Sequence, residues 1–199
     1  MNSATIARRR PADNPVASHR VEGLAYRRKG PGLTALRLRL EEIGGRGAIV
    51  GPKGSGKTTL LQGLASALPG EAFEVRIPGS SPRPWRAARA QLPRPVGRNH
   101  GVLVDGAEQL GPIGWRLLLR ATRRARSVVV TLHRPGLLPT LVQCRPDRHL
   151  LRELVEELTP ADAPVLVPAL EELMQRHEGN IRSCFRDLYD LYAGRSVTS

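Results

Sequence analysis

The chain has 199 residues, of which 40% are hydrophobic and 4% aromatic, and it carries 31 basic against 18 acidic side chains for a formal charge of +13. That length suits one ordinary domain with a buried core and a small appendage. Two cysteines, Cys144 and Cys184, make neither a disulfide framework nor a metal-ligand spacing, no apolar run is long enough to span a bilayer, and the opening MNSATIARRRP lacks the apolar stretch of a secretory signal; together these point to a reducing, cytoplasmic setting.

In chain order, residues 1–18 are polar, basic and rich in Pro and Ala, and read as a disordered arm. Thr34–Ile43 alternates Leu and Arg as a strand would. Leu36, Leu40 and Ile43, with the preceding Leu33, also fall at helical spacing, and the following glutamates and Gly44-Gly45 favour the helix. Arg46–Val50 is a short apolar strand that runs into a glycine-rich loop. A helix is expected over Lys57–Ala67, a strand over Phe73–Ile77, a short helix over Trp85–Gln91 and a buried-type strand over Gly101–Asp105. Then come a helix over Ile113–Ala125, a strand over Ser127–Leu132 and a weaker one over Leu141–Cys144. The remainder reads as helices at Arg148–Leu158, Val167–His177 and Ile181–Tyr192. Strands alternating with helices give an α/β domain with a parallel sheet of about five strands. The expected layout is the arm at 1–18, the α/β core at 19–145 and a helical, lid-like segment at 146–199.

Gly51–Thr58 reads G-P-K-G-S-G-K-T and satisfies G-x-x-x-x-G-K-[ST] at every fixed position, between an expected strand and an expected helix. Such a sequence suits a phosphate chain. Gly51, Gly54 and Gly56 let the backbone curl so that successive N–H groups point inward, and the helix N-terminus adds positive potential. Pro52, Lys53, Ser55 and Thr59 complete the candidate phosphate-binding stretch. Lys57 supplies a point charge for the β- and γ-phosphates, and the Thr58 hydroxyl is a candidate Mg2+ ligand. Asp105, at the end of the apolar strand Val102-Leu-Val-Asp105, is the candidate second Mg2+ ligand.

On these residues, 46–145 resembles a P-loop ATPase of the additional-strand group, which includes AAA-type and ABC-type ATPase domains. The strand Phe73–Ile77 between the two motifs fits that group, and GPKGSGKTTLL is similar to the ABC version of the loop. The resemblance implies a three-layer P-loop domain with ATP and Mg2+ as ligands. It also implies where the pattern departs. Gly106 stands where the group usually has a water-activating Glu, which leaves Glu108 as the nearest candidate base, and the S-G-G-Q signature of transporter subunits is absent. Thr131 resembles the first sensor of AAA proteins and His133 the switch histidine of ABC ATPases. Arg182, just after Gly179-Asn180, resembles the lid arginine that reads a γ-phosphate, and Asn180 is a suitable cap for the last helix.

The charge is unevenly placed. From Arg76 to Arg134 there are 12 arginines and 2 acids, and from Asp147 to Ser199 there are 6 arginines and 10 acids. A GC-rich coding sequence also produces abundant Arg, Pro, Ala and Gly, so composition alone leaves an anionic partner undecided. Arg116, Arg120, Arg123 and Arg124 fall on one face of the expected Ile113–Ala125 helix. A solvated face, contact with the acidic tail, and attraction to nucleic acid are its three readings, in that order. The expected function is ATP–Mg2+ binding with hydrolysis that moves the C-terminal segment. The alternatives are a nucleotide-gated binding module with little turnover, a nucleic-acid-associated ATPase, a small-molecule kinase, and a protein partner or oligomer on the basic face. The absence of a guanine-reading Asn/Thr-Lys-x-Asp pattern favours ATP.

Overall fold

The computed structural model describes residues 10, 13–17, 20, 32–145 and 148–194. Its elements are α1 (Leu33–Glu42), β1 (Arg46–Val50), α2 (Lys57–Ala67), β2 (Glu71–Arg76), α3 (Pro84–Gln91), β3 (His100–Asp105), α4 (Gly111–Ala121), β4 (Ser127–Leu132), β5 (Thr140–Gln143), α5 (Arg148–Leu158), α6 (Ala163–Leu166), α7 (Leu170–Arg176) and α8 (Ile181–Tyr192). A 3-10 turn at Ala107–Leu110 links β3 to α4. The chain groups into two compact units, one of residues 29–51 and 56–144, the other of 1–28, 52–55 and 145–199. Among the described residues no helix is long and apolar enough to cross a membrane.

In the first unit the five strands lie in the order β2-β3-β4-β1-β5, and every described pairing is parallel. The three central strands each carry an unbroken apolar run, Ala48–Val50, Val102–Val104 and Val128–Val130, because both faces of a parallel sheet are covered. Residue parity assigns the faces. Ala48, Val50, Val102, Val104, Val128 and Val130 pack with Ala88, Leu92 and Leu118 of the α3/α4 layer. Ile49, Leu103 and Val129 pack with Leu36 and Leu40 of α1 and with Leu60, Leu61 and Leu64 of α2. This is the three-layer α/β arrangement expected.

In the sheet β4 lies between the loop strand β1 and the aspartate strand β3, and β2 pairs with β3 alone at the sheet edge. Two expected helices change in detail. The Ile113–Ala125 helix stops at Ala121. Thr122 is fully buried and its hydroxyl bonds the Leu118 carbonyl at 2.9 Å, while the Arg46 guanidinium takes the Thr122 carbonyl at 2.9 Å, so no further helical turn forms. The expected Val167–His177 helix is a 3-10 turn at Val167–Ala169 followed by α7, because Pro168 cannot sit inside a regular helix.

In the second unit α5 to α8 close around Leu151, Leu154, Val155, Met174, Cys184, Leu188 and Tyr192. Tyr192 is fully buried and donates its hydroxyl to Asp162 Oδ2 at 2.7 Å. His177 Nε2 lies 2.7 Å from Asp187 Oδ2. Residues 13–17 are not disordered as expected. Val16 joins this core, and buried Asn14 donates to the Tyr189 carbonyl at 3.1 Å. Most of the remaining 1–18 arm lies outside the described residues.

Candidate functional site

The loop leaves β1 at Val50 and delivers the chain to α2 through Gly54 (φ +77) and Gly56 (φ +81). Both sit in the left-handed region that side-chain-bearing residues rarely adopt, and this forms the curl. Gly51 N–H bonds the Leu132 carbonyl at 3.1 Å, which anchors the start of the loop to the end of β4. Lys57 is buried, and its Nζ donates to the Gly51 carbonyl at 2.7 Å. Burial holds its pKa below the ordinary lysine value, opposed by the nearby Glu108, Cys144 and Asp105. Pro52 and Lys53 are exposed, whereas Ser55 is buried.

Three oxygens converge at the strand ends. Thr58 Oγ1 donates to the Asp105 carboxylate, at 3.2 Å from Oδ1 and 3.1 Å from Oδ2. Thr131 Oγ1 donates to Asp105 Oδ1 at 2.8 Å and accepts from the Gly106 N–H at 2.9 Å. Thr131 therefore fastens the end of β4 to the end of β3, and is 1% exposed. Arg76 Nε stands 3.8 Å from Asp105 Oδ2, because β2 and β3 pair with Arg76 opposite Asp105. Sequence reasoning missed Arg76, since its only signal is a strand register that is not local.

Gly106 has φ +82, and a Cβ there would lie 2.5 Å from the Ile77 carbonyl oxygen. No glutamate fits at that position without moving backbone. The next acid, Glu108, lies on the 3-10 turn with Oε1 3.4 Å from His133 Nε2, so the structure brings these two candidates together. Glu108 Oε2 is buried with no hydrogen-bond partner among the described residues.

Arg182 is exposed in the first turn of α8, in the unit that holds α5 to α8. Asn180 caps that helix by accepting from the Ser183 N–H at 3.2 Å. Residues 52–55 group with this unit, and the Asn180 side chain fills the space where a Cβ on Gly54 would go. Among the described residues no three His, Cys, Asp or Glu side chains cluster as a metal site. An ion beside Thr58 and Asp105 would therefore draw its other oxygens from a bound phosphate and from water, as Mg2+ does.

No family model matches the chain. The phosphonates import ATP-binding protein PhnC 1 of Pseudomonas savastanoi pv. phaseolicola is 42% identical over 73 residues, which is 36% of this chain and 28% of that protein. Its namesake from Pseudomonas syringae pv. tomato is 50% identical over 50 residues, 25% of this chain and 18% of that protein. The chain thus spans less than a third of the curated relatives it matches. Among solved structures, Cdc6p from Pyrobaculum aerophilum superimposes with a TM-score of 0.58 at 16% identity, over 98% of this chain and 66% of that one. With β4 between the loop strand and the aspartate strand, the chain shares the fold of Cdc6p, a P-loop α/β fold of the additional-strand type, and its loop segment is similar to the ATP-binding PhnC proteins.

Proposed function

We propose that the chain binds ATP with Mg2+ on the Gly51–Thr58 loop, hydrolyses it, and uses nucleotide state to move the helical segment 146–199. One observation carries this reading: a buried lysine ammonium at the glycine loop, with the Thr58, Asp105 and Thr131 oxygens gathered beside it. A pair of hard oxygens on Thr58 and Asp105 suits Mg2+. When bound there, Mg2+ supplies charge neutralisation on the transferring phosphoryl oxygens. ATP is favoured over GTP by the absent guanine pattern and by the ATP-binding relatives. Neither Cys144 nor Cys184 is in a disulfide, which fits a cytoplasmic setting.

Lys57 exchanges the Gly51 carbonyl for phosphate oxygens on binding. The anion offsets the burial that lowers its pKa, so the ammonium is held firmly charged in the complex. Thr131 keeps Asp105 oriented. Glu108 takes a proton from water as the water oxygen attacks the γ-phosphorus and the bond to ADP breaks. The His133 ring positions one carboxylate oxygen and leaves Oε2 to accept that proton. Arg182 reads the γ-phosphate from the helical segment.

The displaced base favours a second reading, a nucleotide-gated module with little turnover, because Gly106 excludes the usual glutamate. Phosphate release from purified protein, with Lys57→Ala and Glu108→Gln beside it, separates the two. Release lost in both variants supports hydrolysis. Tight Mg-ATP binding without release supports the gated module, and equal release from wild type and Lys57→Ala overturns the hydrolysis reading.

A further inference from the structure

The α3/α4 layer carries arginines that the phosphate site does not use. Arg83, Arg86, Arg116 and Arg120 are exposed on or beside these two helices. The helices lie against each other closely enough that a Cβ on Gly114 would come within 3.7 Å of Trp85 Cβ. Arg98, Arg123, Arg124 and Arg126 are exposed where the chain turns into β3 and β4. None of these arginines has a carboxylate partner among the described residues. The only acids between Arg76 and Arg134 are Asp105 and Glu108, and both are engaged at the phosphate site.

The helical unit behaves differently. Arg148, Arg152 and Arg176 pair with Glu171, Glu156 and Glu172 at 2.7, 2.8 and 3.0 Å. An arginine-rich composition by itself does not strip acids from one layer while supplying them in another. Arg116 and Arg120 stand one helical turn apart, where like charges repel by a few tenths of a kcal/mol. The fold retains that repulsion without relief from a neighbouring acid on the layer.

We propose that the outer surface of the α3/α4 layer, with the adjoining turn at Arg123–Arg126, docks on the phosphate backbone of a nucleic-acid duplex. Guanidinium groups bind phosphate oxygens in forked pairs. An eleven-residue helix such as α4 is about 16 Å long, enough to follow about five phosphates of one strand at 3.4 Å each. A protein interface would need a larger apolar centre than Ile113 and Leu117, which are 75% and 37% exposed. The only tryptophans, Trp85 and Trp115, are partly buried in the core, so among the described residues this layer presents no tryptophan for stacking single-stranded bases. The expected binding is sequence-neutral and salt-dependent.

The test uses the full chain and fluorescence anisotropy with labelled 20-base-pair DNA and RNA duplexes across a salt series. Arg116→Ala, Arg120→Ala, Arg123→Ala and Arg124→Ala are combined in one variant. Arg148→Ala, Arg152→Ala and Arg176→Ala form a control that also lowers charge, and circular dichroism confirms that both fold. Each neutralised phosphate contributes about 0.9 to the slope of log K against log salt, so the first variant should lose about 3.6 of slope and weaken binding on the order of 10³-fold near 0.1 M salt. A preference between the DNA and RNA arms identifies which duplex is read. An unchanged slope, equal loss in the control, or equal competition by poly-glutamate at matched charge overturns the proposal, the last in favour of an acidic protein partner.

Discussion

Thr131→Val preserves the shape of a buried side chain and deletes one hydroxyl. That hydroxyl donates to Asp105 at 2.8 Å and accepts from Gly106 N–H at 2.9 Å. At 1% exposure no solvent takes its place. A hydrogen bond to a charged acceptor is worth about 1.5–3 kcal/mol, and leaving a buried N–H unmet costs about 1–3 kcal/mol. Asp105 is still held by Thr58, so the lower part of each range applies and the expected loss is about 3 kcal/mol. With a urea dependence of about 2 kcal/mol per molar, the midpoint falls by about 1.5 M. Both tryptophans lie in the sheet unit, so their fluorescence follows that unit during urea titration. Thr131→Ser should recover most of the loss. A valine variant whose midpoint stays within about 0.2 M of wild type would refute the idea that Thr131 fastens β3 to β4.

Gly106→Ala places a methyl on a left-handed residue facing the Ile77 carbonyl, and should cost about 2–4 kcal/mol by the same titration; Gly106→Glu should likewise destabilise and not raise phosphate release. Glu108→Gln should lower the single-turnover rate by about 10²–10⁴-fold while Mg-ATP affinity, measured by calorimetry, stays within a few-fold. Because burial lowers the Lys57 pKa in the free protein, ATP affinity should be greatest below that depressed value and decline as pH rises through it, beneath the ordinary 10.5, as the ammonium is lost; the Lys57→Met profile should be flat over the same range. Tyr192→Phe removes the hydroxyl bonded to Asp162 and should cost about 1–2 kcal/mol, read from the thermal melt of α5 to α8 by circular dichroism.

Whatever a contiguous stretch of chain controls can be read from the amino-acid order alone. The loop is eight adjacent residues whose glycines and lysine state their own conformation and charge. The valine-rich runs announce buried strands, and Asn180 announces a helix start, because each signal is written within one or two turns of chain. Even the departure at Gly106 is visible there as a missing carboxylate, although its cause is not. That cause is the Ile77 carbonyl on the far side of a strand crossover.

Lateral neighbours decide the rest. Whether β2 or β4 separates the two motif strands depends on strand order, and no single strand encodes its neighbours. The tie from Thr131 to Asp105, the approach of Glu108 to His133, and Arg76 beside Asp105 all follow from that order and its register. The end of α4 at Ala121 depends on Arg46, 76 residues away, reaching the Thr122 carbonyl. Short-range conformational preference is a property of adjacent residues and so is written in the chain. Which distant groups meet is settled only when burial of both sheet faces selects one packing.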